Sequence, residues 1–258
     1  MNTEYVRSEF HQGVTRIEFY HPQGNSLPGR LLDQLAQAIH AAGNDAETLV
    51  VILQSAGEKT FCAGASFDEL MAIQTPEAGL EFFSGFAKVI NAIRICPKFV
   101  IARVQGRCVG GGLGLAAAAD YSLATEAADV KLSELAVGIG PFVVGPAVER
   151  KMGKGAFTTL AIDATMWRSA EWAQRKGLFS EVHPGIPELD EAMGRLVHNL
   201  RHSSPEAMAE LKKVFWAGTE HWDDLLLQRA AISGRLVLSD FTRNAIAAFR
   251  SAATAKKT

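Results

Sequence analysis

The 258 residues carry 26 Lys plus Arg against 28 Asp plus Glu, a formal charge of −2, with 48% hydrophobic and 21% charged residues. This is ordinary soluble globular usage, long enough for one large domain or a domain with an appendage, and it excludes a disordered chain or a strongly basic nucleic-acid binder. No apolar run approaches the ~20 residues of a membrane span, Met1 to Phe10 lacks a signal-peptide core, and the three cysteines show neither CxxC spacing nor a histidine pattern. The expectation is a cytoplasmic protein in reducing surroundings, with no metal, no nucleic-acid partner and no membrane.

Val14, Ile17 and Phe19 predict a short strand closed by the turn residues His21-Pro22-Gln23-Gly24-Asn25. Leu31, Leu32, Leu35, Ala38 and Ile39 follow at helical spacing, and Leu49 to Leu53 is a continuous apolar run of strand length. Phe61 to Ala65 begins a loop into Phe67–Ile73, and a long helix is expected from Pro76 to Ile95, stopped by Pro97. Phe99 to Ala102 predicts the next buried strand, running through Val104 to three glycines, Gly110 to Gly112, and a helix-like stretch from Leu113 to Ala119. Short strands at Tyr121–Ala124 and Val130–Leu132 precede the turn Gly138-Ile139-Gly140-Pro141 and a helix through Ala147 and Arg150. This alternation predicts an α/β protein with largely parallel strands, and paired short strands before each helix suit a spiral of ββα units. Beyond Pro184-Gly185-Ile186-Pro187 the chain reads as helix, with segments at Leu189–Leu200, Pro205–Trp216, Asp223–Leu238 and Asp240–Ala253. The division expected is a core over residues 1–187 and a helical region over 188–258, whose apolar residues, Phe215, Trp216, Trp222 and Phe249, pack on the core or on another subunit. Lys256-Lys257 reads as a solvated end.

The glycine triplet is the most informative stretch. Glycine leaves backbone amides uncovered and a helix N-terminus gathers them with partial positive charge, which suits an anionic oxygen; taken alone, the same glycines fit a tight strand-to-helix turn equally well.

Several segments in order carry a resemblance: Phe61-Cys62-Ala63-Gly64-Ala65, Gly106 through Gly112, Asp120, and Glu134-Leu135-Ala136-Val137-Gly138-Ile139, with His21 to Leu27 and Trp172 to Leu178 adding to it. Together they are similar to the enoyl-CoA hydratase/isomerase family, also called the crotonase superfamily. The resemblance implies a crotonase-like ββα spiral with C-terminal helices, a homotrimer or dimer of trimers, and an acyl-CoA substrate whose coenzyme A is part of the substrate, so that no separate cofactor is needed. It also implies that the thioester oxygen lies between the backbone amides of Ala65 and Gly111, with Ala63, Gly64, Phe67, Gly110, Gly114, Pro141 and Phe142 about the substrate.

Many hydratases of the family carry two glutamates, and at the first of those positions this chain has Gly114. The second, Glu134, is present and is expected to act as the base, held in an apolar pocket of Ile139, Pro141, Phe142 and Val143. One carboxylate suffices to take a proton from one carbon and return it to another, so the pattern resembles the enoyl-CoA isomerases; a hydratase or lyase with a second acid, such as Asp68 or Glu69, and a catalytically inactive scaffold are the alternatives. Ser66 departs from the family's usual Asp. Cys62 and Cys108 read as packing residues. Phe82, Phe83 and Phe86 fit a helix packing face more readily than an acyl channel. The phosphates of coenzyme A require cations, for which Arg30, Lys59, Lys98, Arg243 and Arg250 are candidates.

Overall fold

In the computed structural model, which describes residues 3–255 and side chains as far as Ala248, the chain winds through strand, helix and strand in repeated turns. Two strands open it, β1 (Tyr5–His11) and β2 (Val14–Tyr20), antiparallel across a turn in which Gln12 and Gly13 both have positive φ, +46° and +82°. Such a turn matches the twist of the strands it joins. β1 is an edge strand whose side chains are mostly exposed, and it shows none of the apolar alternation that marks β2, so sequence pattern did not reveal it.

From there the order is α1 (Gly29–Asn44), β3 (Val50–Ser55), β4 (Thr60–Cys62), α2 (Phe67–Ala72), α3 (Pro76–Ile95), β5 (Phe99–Val104), β6 (Arg107–Val109), α4 (Gly111–Ala118), β7 (Tyr121–Thr125) and β8 (Val130–Lys131). A single 3₁₀ turn (Leu135–Val137) leads into α5 (Gly145–Met152), α6 (Lys154–Ile162), α7 (Ala170–Arg175) and β9 (Glu181–His183). Four helices complete it, α8 (Ile186–Arg201), α9 (Pro205–Phe215), α10 (Trp222–Leu236) and α11 (Asp240–Ala255). α6 and the short, polar β9 are elements the sequence reading did not separate.

The strands form two sheets. Six lie in the order β1-β2-β3-β5-β7-β9, parallel after the first pair, and three in the order β4-β6-β8, also parallel. Each turn of the spiral therefore gives one strand to the large sheet and the next to the small one: β3 and β4, β5 and β6, β7 and β8. The expected ββα repeat has this physical basis: a parallel pairing needs a crossover, and the helices supply it.

The main core lies between one face of the large sheet and α1, α3 and α4, where Ile17, Phe19, Leu53, Ile90 and Leu115 are fully buried. α8 covers part of the opposite face, its Leu189, Ala192 and Met193 meeting Val50, Ile52, Ile101 and Leu123. The later helices return to the chain's own body: Trp216, Trp222, Leu226 and Ala230 join the main core.

Candidate active site

All three strands of the small sheet end at one place. A ligand site outside the carboxyl ends of parallel strands is the general arrangement of such sheets, because loops and helix N-termini gather there.

After β4 the chain passes through Ala63, Gly64 and Ala65 to Ser66, whose hydroxyl accepts from Glu69 N at 3.4 Å and caps α2. Leu27 holds this loop on one side: Leu27 N donates to Gly64 O at 2.8 Å and Ser66 N to Leu27 O at 3.3 Å, with Leu27 and Ala65 paired as in a parallel bridge. In that pattern the intervening Ala65 amide is directed away from Leu27. After β6, Gly110 at φ +52° turns the chain into α4, anchored by Gly110 N to Lys131 O at 2.9 Å, and Gly111 is the first helical residue. The first amides of a helix have no partner within it and carry its positive end. The two loops abut: a Cβ placed on Gly64 would stand 3.6 Å from Gly111 N. Ala65 and Gly111 thus both face the same cavity, which Gly64 and Gly110 also line.

After β8 comes Glu134, its carbonyl accepting from Val137 N and Ile139 N as the 3₁₀ turn forms. Its carboxylate lies against Gly110, where a Cβ would come 2.9 Å from Oε1. Only glycine tolerates both that approach and the positive φ. Among the described residues Glu134 Oε2 is closed to solvent and has no hydrogen-bond partner, and burial raises the carboxyl from 4.5 to about 7. The residue as a whole is only half-buried, so it is the carboxylate end that is shut in.

The cavity, about 70 Å³, is otherwise apolar. Phe67 and Leu70 of α2, Phe83 and Phe86 of α3, and Val137, Ile139, Pro141, Phe142, Val143 and Val144 form its walls, with Ala63 at the loop and Ser133 and Ser233 as further polar side chains. Glu134 is the one ionisable side chain on it among the described residues.

Most of the residues expected from sequence meet here: Glu134, Ala65, Gly111, Ala63, Gly64, Phe67, Gly110, Pro141 and Phe142. Gly114 does not. It is buried in α4, and a Cβ there would stand 2.4 Å from Cγ1 of Val144, so the valine occupies the space beside it and itself faces the cavity. Asp68 and Glu69 are also turned elsewhere, accepting from Gln23 Nε2 at 3.0 Å and from Gly29 N at 2.7 Å. Phe83 and Phe86 reach the cavity although a packing face was the expectation, whereas Phe82 borders a separate groove beside Arg30 and Lys88. Arg30 pairs with Glu4, and neither it nor Lys59, Lys98 or Arg243 lines the cavity; the side chain of Arg250 lies outside the described residues, as do those of Phe249, Lys256 and Lys257. Cys62 and Cys108 are fully buried, and burial pushes the Cys62 thiol up to about 12 and that of Cys108 well above its ordinary value, which leaves both as inert packing. Val144 and Ser233 went unnoticed in the sequence, because no local pattern tells which neighbour fills a glycine's missing side chain or which helix crosses over a cavity.

Among the described residues there is no group of His, Cys, Asp and Glu side chains able to hold a metal ion, and no helix long and apolar enough to cross a membrane.

Comparison with known proteins agrees with this arrangement. The family model for enoyl-CoA hydratase/isomerase matches residues 9–244. A Rhizobium meliloti protein named "Probable enoyl-CoA hydratase" is 32% identical over 81% of this chain and 80% of its own length. A carnitinyl-CoA dehydratase of Salmonella enteritidis is 30% identical, over 80% and 78%. Among solved structures, an enoyl-CoA hydratase from Mycobacterium avium superposes with a TM-score of 0.84 at 27% identity, covering 95% of this chain and 96% of that one. With a family model spanning most of its length and its three small-sheet strands ending at one shared cavity, the chain belongs to the enoyl-CoA hydratase/isomerase family.

Proposed function

We propose that this protein acts on an acyl-CoA thioester through an enolate, and that Glu134 moves the proton. The thioester oxygen accepts from the Ala65 and Gly111 amides, so charge arriving on it as the α C–H bond breaks is met by donors already in place. Glu134 takes that proton. Its unpartnered Oε2 suits the task, and a carboxyl at about 7 is poised both to accept a proton and to return it. Returning it to the γ-carbon of a 3-enoyl group moves the double bond to position 2, with no water consumed.

The observation that carries the isomerase reading is the pairing of Gly114 with Val144. Where two-glutamate relatives have a carboxylate, this chain has no side chain and an apolar neighbour filling the space, which leaves Glu134 as the cavity's one acid among the described residues. The names of the relatives, hydratase and dehydratase, favour a hydro-lyase as the second reading, in which Glu134 activates water and another group supplies the second proton.

Replacing Glu134 with Gln keeps the shape and removes the base. Conversion of 3-enoyl-CoA to 2-enoyl-CoA, followed by chromatography, is expected to fall about 10²- to 10⁴-fold. Unchanged turnover would remove Glu134 from the mechanism. Accumulation of 3-hydroxyacyl-CoA by the wild-type protein from 2-enoyl-CoA would support the hydro-lyase instead.

A further inference from the structure

Helices α3 and α10 touch backbone to backbone. A Cβ on Gly79 would stand 2.6 Å from the Cα of Gly234, and one on Gly234 2.6 Å from Leu80 N. An approach this close carries the next residue of α10, Ser233, over the side of α3 and onto the wall of the active-site cavity, where it is 1% exposed and shares the lining with Phe83.

Its hydroxyl is unspent. A serine inside a helix commonly donates to the carbonyl four residues back, as Ser84 does to Leu80 O at 2.6 Å. Among the described residues the Ser233 hydroxyl has no hydrogen-bond partner, while the Ser233 carbonyl accepts from Val237 N. The hydroxyl oxygen is not sealed off from the cavity, so a bound group can reach it and supply the missing bond.

The position along the cavity decides what that ligand group can be. Phe86 packs against Gly111, where a Cβ would meet its ring at 2.1 Å, so the Phe86 level of α3 marks the thioester end. Gly79, where α10 crosses, lies two turns earlier on α3, about 10 Å away at 1.5 Å per residue. Ser133 and Glu134 sit beside Gly110, while Ser233 enters the lining from α10, on the α3 side with Phe83, as the further polar side chain there among the described residues.

We infer that Ser233 determines substrate choice: its hydroxyl bonds an oxygen on the distal part of a short acyl group, so that acyl-CoA thioesters bearing a remote hydroxyl or keto group are taken in preference to plain hydrocarbon chains. This rests on the reading of Ala65, Gly111 and Glu134 as the enolate-forming site and adds the class of acyl group.

The test uses 6-hydroxyhexanoyl-CoA and hexanoyl-CoA, with exchange of the α-hydrogen for deuterium as readout, since exchange reports enolate formation whichever overall reaction follows. The wild-type protein is expected to favour the hydroxylated thioester by about 10-fold in the apparent kcat/KM for exchange, the worth of one neutral hydrogen bond. In Ser233→Ala that ratio is expected to fall to near one, whichever way the absolute rates move. A wild-type ratio near one overturns the inference without recourse to the variant, as does a ratio that survives the substitution. Exchange of neither thioester by the wild-type protein would mean that the enolate site itself is misread, a different failure, and it takes the inference with it.

Discussion

At the scale of single residues, Glu134 is where the energetics concentrate. Its ionised form is disfavoured because burial strips the carboxylate of water and Oε2 gains no donor in exchange. A carboxyl that titrates near 4.5 when unfolded and about 7 when folded stabilises the fold fully below the lower value, and that stabilisation is lost as pH rises through the upper one. The contribution lost across this window is about 3 kcal/mol. Glu134→Gln lacks the titration, so urea unfolding at pH 5 and pH 8 should find the variant gaining on the wild-type protein at the higher pH by an amount of that order. An equal gap at both pH values would show that the carboxylate is solvated after all. Catalysis by the ionised base has the opposite sign, rising with pH until the group is deprotonated, so this one residue sets stability against activity.

At the scale of elements, attachment of α9 to the body depends on a polar cluster inside otherwise apolar packing. Asp120, just after α4, accepts from Val100 N at 2.8 Å, from Trp216 Nε1 at 2.9 Å and from the Lys212 ammonium. Both charged side chains are nearly inaccessible, at 5% and 3% exposure. Such a pair adds little over an apolar pair of the same shape, but removing one member strands the other. Asp120→Ala and Lys212→Ala should each cost about 3–5 kcal/mol by denaturant titration, and the double variant markedly less than their sum. Strict additivity would mean that the two do not act as a unit. Asp120 stood in the sequence as part of a family motif, and the structure gives it a purpose that is architectural: α9 and the strand β5 are fastened through it.

For the molecule as a whole, the cysteines report on integrity. Cys62 and Cys108 sit side by side in the small sheet, as partners across β4 and β6, and Cys96 caps the end of α3; all three are free and buried. A thiol held that far above its usual titration range presents almost no thiolate, and the buried sulfur is out of reach of reagents besides. Labelling with an aromatic disulfide at pH 8 should therefore leave the native protein unmodified and modify three thiols per chain in denaturant, with a rate tracking global opening. Rapid labelling of Cys62 or Cys108 under native conditions would show the small sheet opening separately from the rest.

The sequence by itself determined the repeating elements and the backbone parts of the site. Apolar runs such as Val50–Leu53 and Val100–Ala102, helical spacing from Leu31 to Ile39, and the glycines at 110–112 are local signals, since strand pleat, helix period and positive φ are decided within a few residues. β1 and β9 escaped because their side chains are largely polar and their pairing partners supply what the pattern lacks. Tertiary structure alone decided that Val144 fills the space at Gly114, that Phe83 and Phe86 turn to the cavity while Phe82 does not, and that Gly79 and Gly234 bring Ser233 onto its wall. Those are packing facts between segments far apart in the chain, and close-packing couples each side chain to neighbours that no window of sequence contains.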